Sequence, residues 1–184
     1  MIRTILPLSD GFVGEPLTPA HRGLQLISDS VNYFINMKPP PQGKPRITSS
    51  IFYDDPAAAI DWLANAFGFE VQLRVEGEGG RIEYSELTYG GGRVSVGHSG
   101  GSSHREGGLP GCSPRRVDGM NTQMLCIFVD DADAHCEHAR AAGAVIADEP
   151  TTTDYGDDYW ADRTYRARDP EGHHWWFMQR LRGG

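Results

Sequence analysis

The sequence predicts an α+β protein built from two tandem βαβββ modules. The segment IFYDD, which begins at Ile51, recurs as IFVDD at Ile127. Each copy leads into a helix-like segment, a glycine and a further extended segment. Such a repeat indicates that one supersecondary unit was duplicated. We therefore expect the functional surface where the two halves meet, because binding sites tend to be concave surfaces between packed units.

The first module is predicted to span residues 47–98. Its opening residues, 47–53, are rich in the Ile, Thr, Phe and Tyr side chains typical of strands. Asp55 followed by Pro56 predicts a helix start, because aspartate caps free N–H groups and proline fits the first turn. The apolar side of this helix comprises Ile60, Leu63, Ala64 and Phe67, and Gly68 ends it. Further strands are predicted near 69–75, 81–88 and 93–98.

The second module, residues 121–184, repeats this order. We predict a strand at 122–129, a helix at 132–142 that is capped by Asp131 as the first is by Asp55, and strands near 144–150, 163–168 and 173–179. Cys136 takes the place that Ile60 has in the first helix, which favours a buried apolar residue over a nucleophile.

Two segments fall outside the repeat. Residues 1–46 are an N-terminal extension that ends in a proline-rich linker, where regular structure is not expected. Residues 99–120 form a Gly/Ser-rich connection without periodicity, and this loop is either a linker or a mobile lid.

Composition limits the classes of function. The chain of 184 residues has a formal net charge of −8 and no basic cluster, so we expect no nucleic-acid partner. No apolar run approaches the length of a membrane span, and the first residues lack the features of a secretory signal. Three cysteines without metal-type spacing argue against a disulfide framework. These features predict a cytoplasmic protein that does not bind membranes.

The closing segment carries a resemblance to a known family. Tyr155-Gly156-Asp157, Asp162-Arg163-Thr164-Tyr165-Arg166 and Asp169-Pro170-Glu171-Gly172-His173-His174-Trp175 resemble the ending of glyoxalase-like and PhnB-like proteins. Together with the two βαβββ modules, this motif is similar to the vicinal oxygen chelate superfamily, which includes glyoxalase I, extradiol dioxygenases and bleomycin resistance proteins. The resemblance covers about residues 47–180. It implies a cup formed by two curled mixed sheets.

The same resemblance allows the metal positions of the family to be carried across. Metal-dependent members hold a divalent ion with His, Gln or Glu from the first strand of each module and a carboxylate from the last. These positions fall at Thr48, Met124 and Trp176, and the fourth lies near Val96. None is a good ligand for such a cation. Because the sequence departs from the family at these positions, we expect no glyoxalase-type metal site and no cofactor.

Other side chains could rebuild a metal site. The candidates are His98, His104, His173, His174, Glu83 and Glu86. His135 and His138 are three residues apart on the second helix, but they lie away from the apolar stripe, so we expect them on a solvated surface.

The first functional hypothesis is a non-catalytic binder of a small organic molecule, similar to the bleomycin resistance proteins, whose two chains form a dimer that sequesters a drug. His174, Trp176 and Met178 share one face of the last strand, and His173, Trp175 and Phe177 share the other. The acidic chain would favour a cationic, partly aromatic ligand. The predicted ligand-binding residues are Phe52, Phe128, Tyr155, Tyr159, Trp160, Arg163, His174 and Trp176.

The alternative hypothesis is an enzyme of the same superfamily: a lyase, isomerase or dioxygenase with relocated metal ligands or with acid–base chemistry. His174, with Glu83 or Asp157 nearby, would then carry the proton, because histidine titrates near working pH. Arg163 or Arg166 is expected to pair with Asp157, Asp158 or Asp162, or otherwise to anchor an anionic ligand.

Overall fold

The order of strand, helix and three strands occurs twice in the computed structural model, which describes residues 38–100 and 111–183. The first set is β1 (Ser49–Tyr53), α1 (Pro56–Phe67), β2 (Glu70–Glu76), β3 (Ile82–Tyr89) and β4 (Gly92–His98). The second is β5 (Leu125–Phe128), α2 (Ala132–Ala141), β6 (Val145–Asp154), β7 (Ala161–Arg168) and β8 (His174–Arg182). The predicted α+β fold is confirmed. Most of the predicted N-terminal extension and half of the 99–120 loop, including His104, lie outside the described residues.

Each set of strands forms one mixed four-stranded sheet. The strand order is β1-β4-β3-β2 in the first sheet and β5-β8-β7-β6 in the second. In both sheets the first strand runs parallel to the last, and the other neighbours are antiparallel. The identical order is what a duplicated unit would produce.

The helices begin where the capping signals predicted. The Asp55 carboxylate accepts a hydrogen bond from the backbone N–H of Ala58 at 3.0 Å, and Asp131 accepts one from Ala134 at 2.9 Å. Gly68 ends α1 with φ of 75°, a left-handed conformation that favours glycine.

Some strand ends differ from the prediction. β6 and β8 continue to Asp154 and Arg182 because both keep their pairing with β7 to its beginning at Ala161. β5 starts only at Leu125, since its pairing with β8 begins there. The residue two positions earlier, Gln123, instead donates its side-chain amide to Ser49 and Ser50 of the first module.

One hydrophobic core serves both modules, because α1 and α2 pack against each other and cover one face of each sheet. The Phe67 ring of α1 lies 5.4 Å from the Trp175 ring and 4.8 Å from the Phe177 ring of β8, measured between centroids. Cys136 is fully buried in this core, as the repeat predicted.

His135 does not lie on the solvated surface predicted for it. Its Nε2 donates to the Phe67 carbonyl at 3.3 Å, so its Nδ1, 2.5 Å from the Tyr165 hydroxyl oxygen, accepts the hydroxyl proton. Burial lowers the pKa of His135, which suits this neutral form. The helical pattern missed this arrangement because the partners come from α1 and β7. His138 is exposed, although it also bonds to the Asn65 carbonyl.

A buried carboxylate joins the two modules. Asp169, in the turn before β8, accepts hydrogen bonds from the Tyr53 hydroxyl at 2.5 Å and the Trp175 indole at 3.1 Å. Its other oxygen accepts the backbone N–H groups of Glu171 and His173. Glu171 in turn accepts the N–H groups of Asp54 and Asp55, just before α1. The turn of the second module therefore fixes the end of β1 and the start of α1.

We expect Asp169→Ala to reduce the free energy of unfolding by about 3 kcal/mol, because several buried donors would lose their shared acceptor. Urea denaturation followed by circular dichroism measures this change. Asp61→Ala, at an exposed ion pair with Arg74, serves as the control and should stay within about 0.5 kcal/mol of the wild type. Equal stability of the wild type and Asp169→Ala would contradict a joining role for this carboxylate.

Candidate functional site

The two faces of β8 differ as the alternation predicted. Trp175 and Phe177 are buried against the helices, whereas His174, Trp176 and Met178 lie on the opposite face and are only half-buried. No helix of the described residues covers this second face.

The strand register places a defined set of side chains beside Trp176. Cys126 of β5 and Arg166 of β7 are its two cross-strand neighbours. We call the set the Trp176 face, and it comprises Cys126, Phe128, Thr164, Arg166, Arg168, His174, Trp176 and Met178.

An aromatic cluster adjoins one end of the Trp176 face. The Arg180 guanidinium lies 5.5 Å from the centroid of the Phe128 ring and 5.3 Å from that of the Trp160 ring. Tyr155 and Tyr159 pack on Trp160, with centroid distances of 5.4 and 6.1 Å. Their exposed fractions are 55% for Phe128, 52% for Tyr155, 61% for Tyr159 and 39% for Trp160. Contiguous exposed aromatic side chains are a common feature of interaction sites, which makes this cluster a candidate.

A cleft of about 680 Å³ meets the Trp176 face at Cys126 and Phe128. Its lining combines β5 with the β3–β4 turn of the first module, residues 89–94. The cleft therefore lies between the two modules, and its volume is in the range of small-molecule sites.

The corresponding face of the first sheet is built from smaller side chains. Phe52 occupies the position of Phe128, but Ser95 and Gly97 stand where the second sheet has Trp176 and Met178. The Phe52 ring lies directly beneath Gly111, where a Cβ would approach it to 2.1 Å. Phe52 and several residues between Gly111 and Gln123 line a separate cleft of about 670 Å³. Phe52 belongs to the first sheet, whereas Phe128 belongs to the second.

The register corrects one of the metal positions. Val96 is fully buried on the helix side of β4, and its neighbour Ser95 is the counterpart of Trp176. Thr48, Ser95, Met124 and Trp176 provide no strong ligand for a divalent ion. Within 38–100 and 111–183, no three His, Cys, Asp or Glu side chains come together in a geometry that could hold a metal ion.

Glu83 and Glu86 of β3, which the sequence suggested for a rebuilt metal site, are paired with basic side chains instead. Glu86 is buried and paired with Lys44 at 2.5 Å and Arg93 at 3.0 Å, and the Tyr84 hydroxyl donates to it. These three partners lower the pKa of Glu86. Glu83 lies in the first sheet, 3.6 Å from Arg81, whereas His174 belongs to the second sheet.

The arginine partners predicted from the sequence are wrong. Arg163 binds Asp133 of α2 through two hydrogen bonds of 2.5 and 2.6 Å, and therefore points to the helix side, away from the Trp176 face. Arg166 pairs with Asp148 of β6. Asp162 pairs with Arg180 at 2.5 Å instead. The sequence favoured nearby aspartates, but these partners are brought together only by the sheet and helix packing.

His174 has a basic environment. Its pKa is lowered by burial first, and then by the charges of Arg168 and Arg166. Asp169 and Asp148 oppose this shift. Neither Glu83 nor Asp157, the predicted proton-transfer partners, is among these groups.

Comparison with known proteins identifies the family. The model of the Glyoxalase/Bleomycin resistance protein/Dioxygenase superfamily matches residues 45–177. The chain belongs to this superfamily. It is also 30% identical over 144 residues to an uncharacterized protein of Mycobacterium bovis, a match that covers 76% of this chain and 86% of that protein.

Solved structures agree with this assignment. TioX from Micromonospora sp. ML1 is 31% identical with a TM-score of 0.57, and the match covers 75% of this chain and 100% of TioX. TnmS3, an antibiotic binding protein from Streptomyces sp. CB03234, is 19% identical with a TM-score of 0.51 and coverage of 76% and 98%. The second likeness shows the shared fold.

Two residues of the site were missed by sequence reasoning. Arg166 was considered as an anchor for an anionic ligand, but Arg168, on the same side of β7, was not. Alternation along the strand could have placed Arg168 there. Arg180, on the same side of β8 as Trp176, was missed because the predicted strand ended at residue 179, whereas β8 continues to Arg182.

The basic environment predicts a measurable property of His174. We expect its pKa to lie below the ordinary value of 6.5, and Arg168→Gln to raise it, because that substitution removes a positive charge that disfavours the protonated ring. NMR titration of the histidine ring protons measures both values. Arg140→Gln on α2 is the control that should leave the His174 pKa unchanged. An unaltered value in Arg168→Gln would place Arg168 away from the imidazole.

Proposed function

We propose that this superfamily member binds a small, planar aromatic molecule on the Trp176 face without transforming it. The observation that supports this most directly is the aromatic surface formed by the half-buried Trp176 and the exposed Phe128 and Trp160, beside a cleft of about 680 Å³. Aromatic side chains stack on flat ligands and bury a large area at low entropic cost. The inferred mechanism is sequestration, in which rings of the ligand replace water on the sheet.

The proposed role is consistent with what is stated for a protein of the same fold. TnmS3 is an antibiotic binding protein, and its similarity supports antibiotic sequestration as the biological purpose here. The side chains at the family's metal positions also favour binding over metal chemistry, since Trp176 occupies the position of the usual carboxylate. We therefore propose that binding requires no metal ion.

We also propose that two chains form a homodimer that encloses the ligand. The uncovered face of the first sheet exposes Leu73, Val75 and Tyr84 by 41–44%, although they are apolar or aromatic. A second copy could cover these side chains and the Trp176 face together, which would reduce the exposed apolar area.

No helix of the described residues is long and apolar enough to cross a membrane. The cysteines at 112, 126 and 136 are free, which supports a cytoplasmic location.

Ligand binding can be tested with a neutral flat probe, 1-pyrenemethanol. We expect the wild type to bind it with quenching of tryptophan fluorescence, and Trp176→Ala to raise its Kd by about tenfold through loss of the stacking surface. Pyrene emission reports binding in the variant. Trp62→Phe, which alters a tryptophan that donates to Ala142 on the helix side, should retain the wild-type Kd. Equal binding by the wild type and Trp176→Ala would exclude this face as the site.

The dimer is tested separately by size-exclusion chromatography with light scattering. We expect a mass of twice the 20.3 kDa chain, and a shift to the monomer when Leu73 and Val75 are both replaced by glutamate. Buried carboxylates without partners would oppose association. Ala58→Glu, at an exposed position of α1, should remain dimeric. A monomeric wild type at micromolar concentration would contradict the proposal.

A further inference from the structure

The Trp176 face carries positive charge in an otherwise acidic protein. Arg166 lies directly across from Trp176, and Arg168 lies across from His174. Along β7 both arginines alternate with the buried Tyr165 and Ala167. They therefore lie on the same side of the strand as Thr164, which is the uncovered side. Two guanidinium groups and an imidazole thus border the central indole.

The carboxylates near this face do not balance its charge. Asp148 pairs with Arg166, and Asp162 pairs with Arg180. Arg168 is exposed and forms no ion pair with any carboxylate of residues 38–100 or 111–183. One guanidinium is therefore in excess, although the whole chain has a formal charge of −8.

The charges around His174 agree with an excess of positive charge on the Trp176 face. Apart from burial, the charges that lower the pKa of its imidazole come from Arg168 and Arg166. Asp169 and Asp148 oppose this effect with smaller contributions, so the charges of Arg168 and Arg166 prevail at the half-buried ring beside Trp176. An anionic group placed there would be attracted to Arg168 and would also favour protonation of His174.

The aromatic cluster already contains a cation. Arg180 lies over the rings of Phe128 and Trp160, where a cationic ligand would otherwise interact with their π-electrons. Its charge is held there by Asp162, which is 5% exposed. A positively charged ligand would have to displace the Arg180 guanidinium from these rings. This arrangement opposes the cationic ligand that net charge alone suggested.

We propose that the ligand of the Trp176 face is a planar aromatic acid, with its ring system on Trp176 and its anionic group at Arg168. This inference rests on the proposed function and specifies the class of molecule that is bound. Arg168 supplies the charge that selects the acid, and Arg180 already occupies the neighbouring rings to which a base would bind.

Three pyrene probes of matched shape provide the test: 1-pyrenecarboxylate, 1-pyrenemethanol and 1-pyrenemethylammonium. Their Kd values are measured by fluorescence with the full chain at pH 7.5 and low salt. We expect the carboxylate to bind about three- to tenfold more tightly than the alcohol, and the ammonium probe to bind most weakly. Added salt should reduce the difference, because screening weakens interactions between exposed charges.

Variants assign the preference to Arg168. Arg168→Gln should bring the Kd of the carboxylate close to that of the alcohol and leave the alcohol unaffected. Arg140→Gln, which removes an arginine from α2, should retain the wild-type preference. A preference that persists in Arg168→Gln would overturn the role of this residue.

The remaining outcomes separate this inference from the proposed function. If the ammonium probe or the alcohol binds as tightly as the carboxylate, and Trp176→Ala still weakens binding, the site is correct but the acidic ligand class is wrong. If none of the three probes binds, the proposed aromatic site fails, and the acidic ligand fails with it.

Discussion

The Asp169 carboxylate is the point on which the arrangement of the two modules depends. It lies in the turn that starts β8, yet one of its oxygens accepts the Tyr53 hydroxyl from the end of β1. A charged group at 4% exposure is stable only when its lone pairs are satisfied, and four donors meet this requirement. Because the same turn orients β8, the position of Trp176 relative to the first module follows from this interaction.

Duplication gave two equal sheets, but the side chains on their uncovered faces have become different. Ser95 and Gly97 leave the first face shallow, whereas Trp176 and Met178 fill the corresponding positions of the second. The helix-covered faces remain apolar in both sheets because both pack into one core, although Val94 and Val96 of the first sheet stand where the second has Trp175 and Phe177. Core packing places no such demand on the uncovered faces, so a binding specificity can evolve there without loss of the fold.

The positions of the charged groups affect the electrostatic field at the Trp176 face more than the net charge of the chain does. The aspartates at 133, 148, 154 and 162 each neutralise one arginine of β7 or β8, so the second sheet is lined by ion pairs. At exposed positions these pairs contribute little stability. Their effect is to fix which guanidinium groups remain available to a ligand. The net charge predicted a cationic ligand, whereas the groups nearest to the site, which set the local field, are the basis of our proposal of an anionic one.

The sequence by itself determined the local structure of this protein. The two IF-DD repeats, the caps at Asp55 and Asp131 and the alternation of Trp175 and Trp176 were sufficient to predict the modules and the two faces of β8, since these features depend on neighbours within a few residues. Tertiary structure alone decided which distant groups meet: His135 with Tyr165, Arg163 with Asp133, and Arg180 with Trp160. Such pairs depend on strand register and helix packing, and a shift of one residue would reverse the face that each side chain occupies.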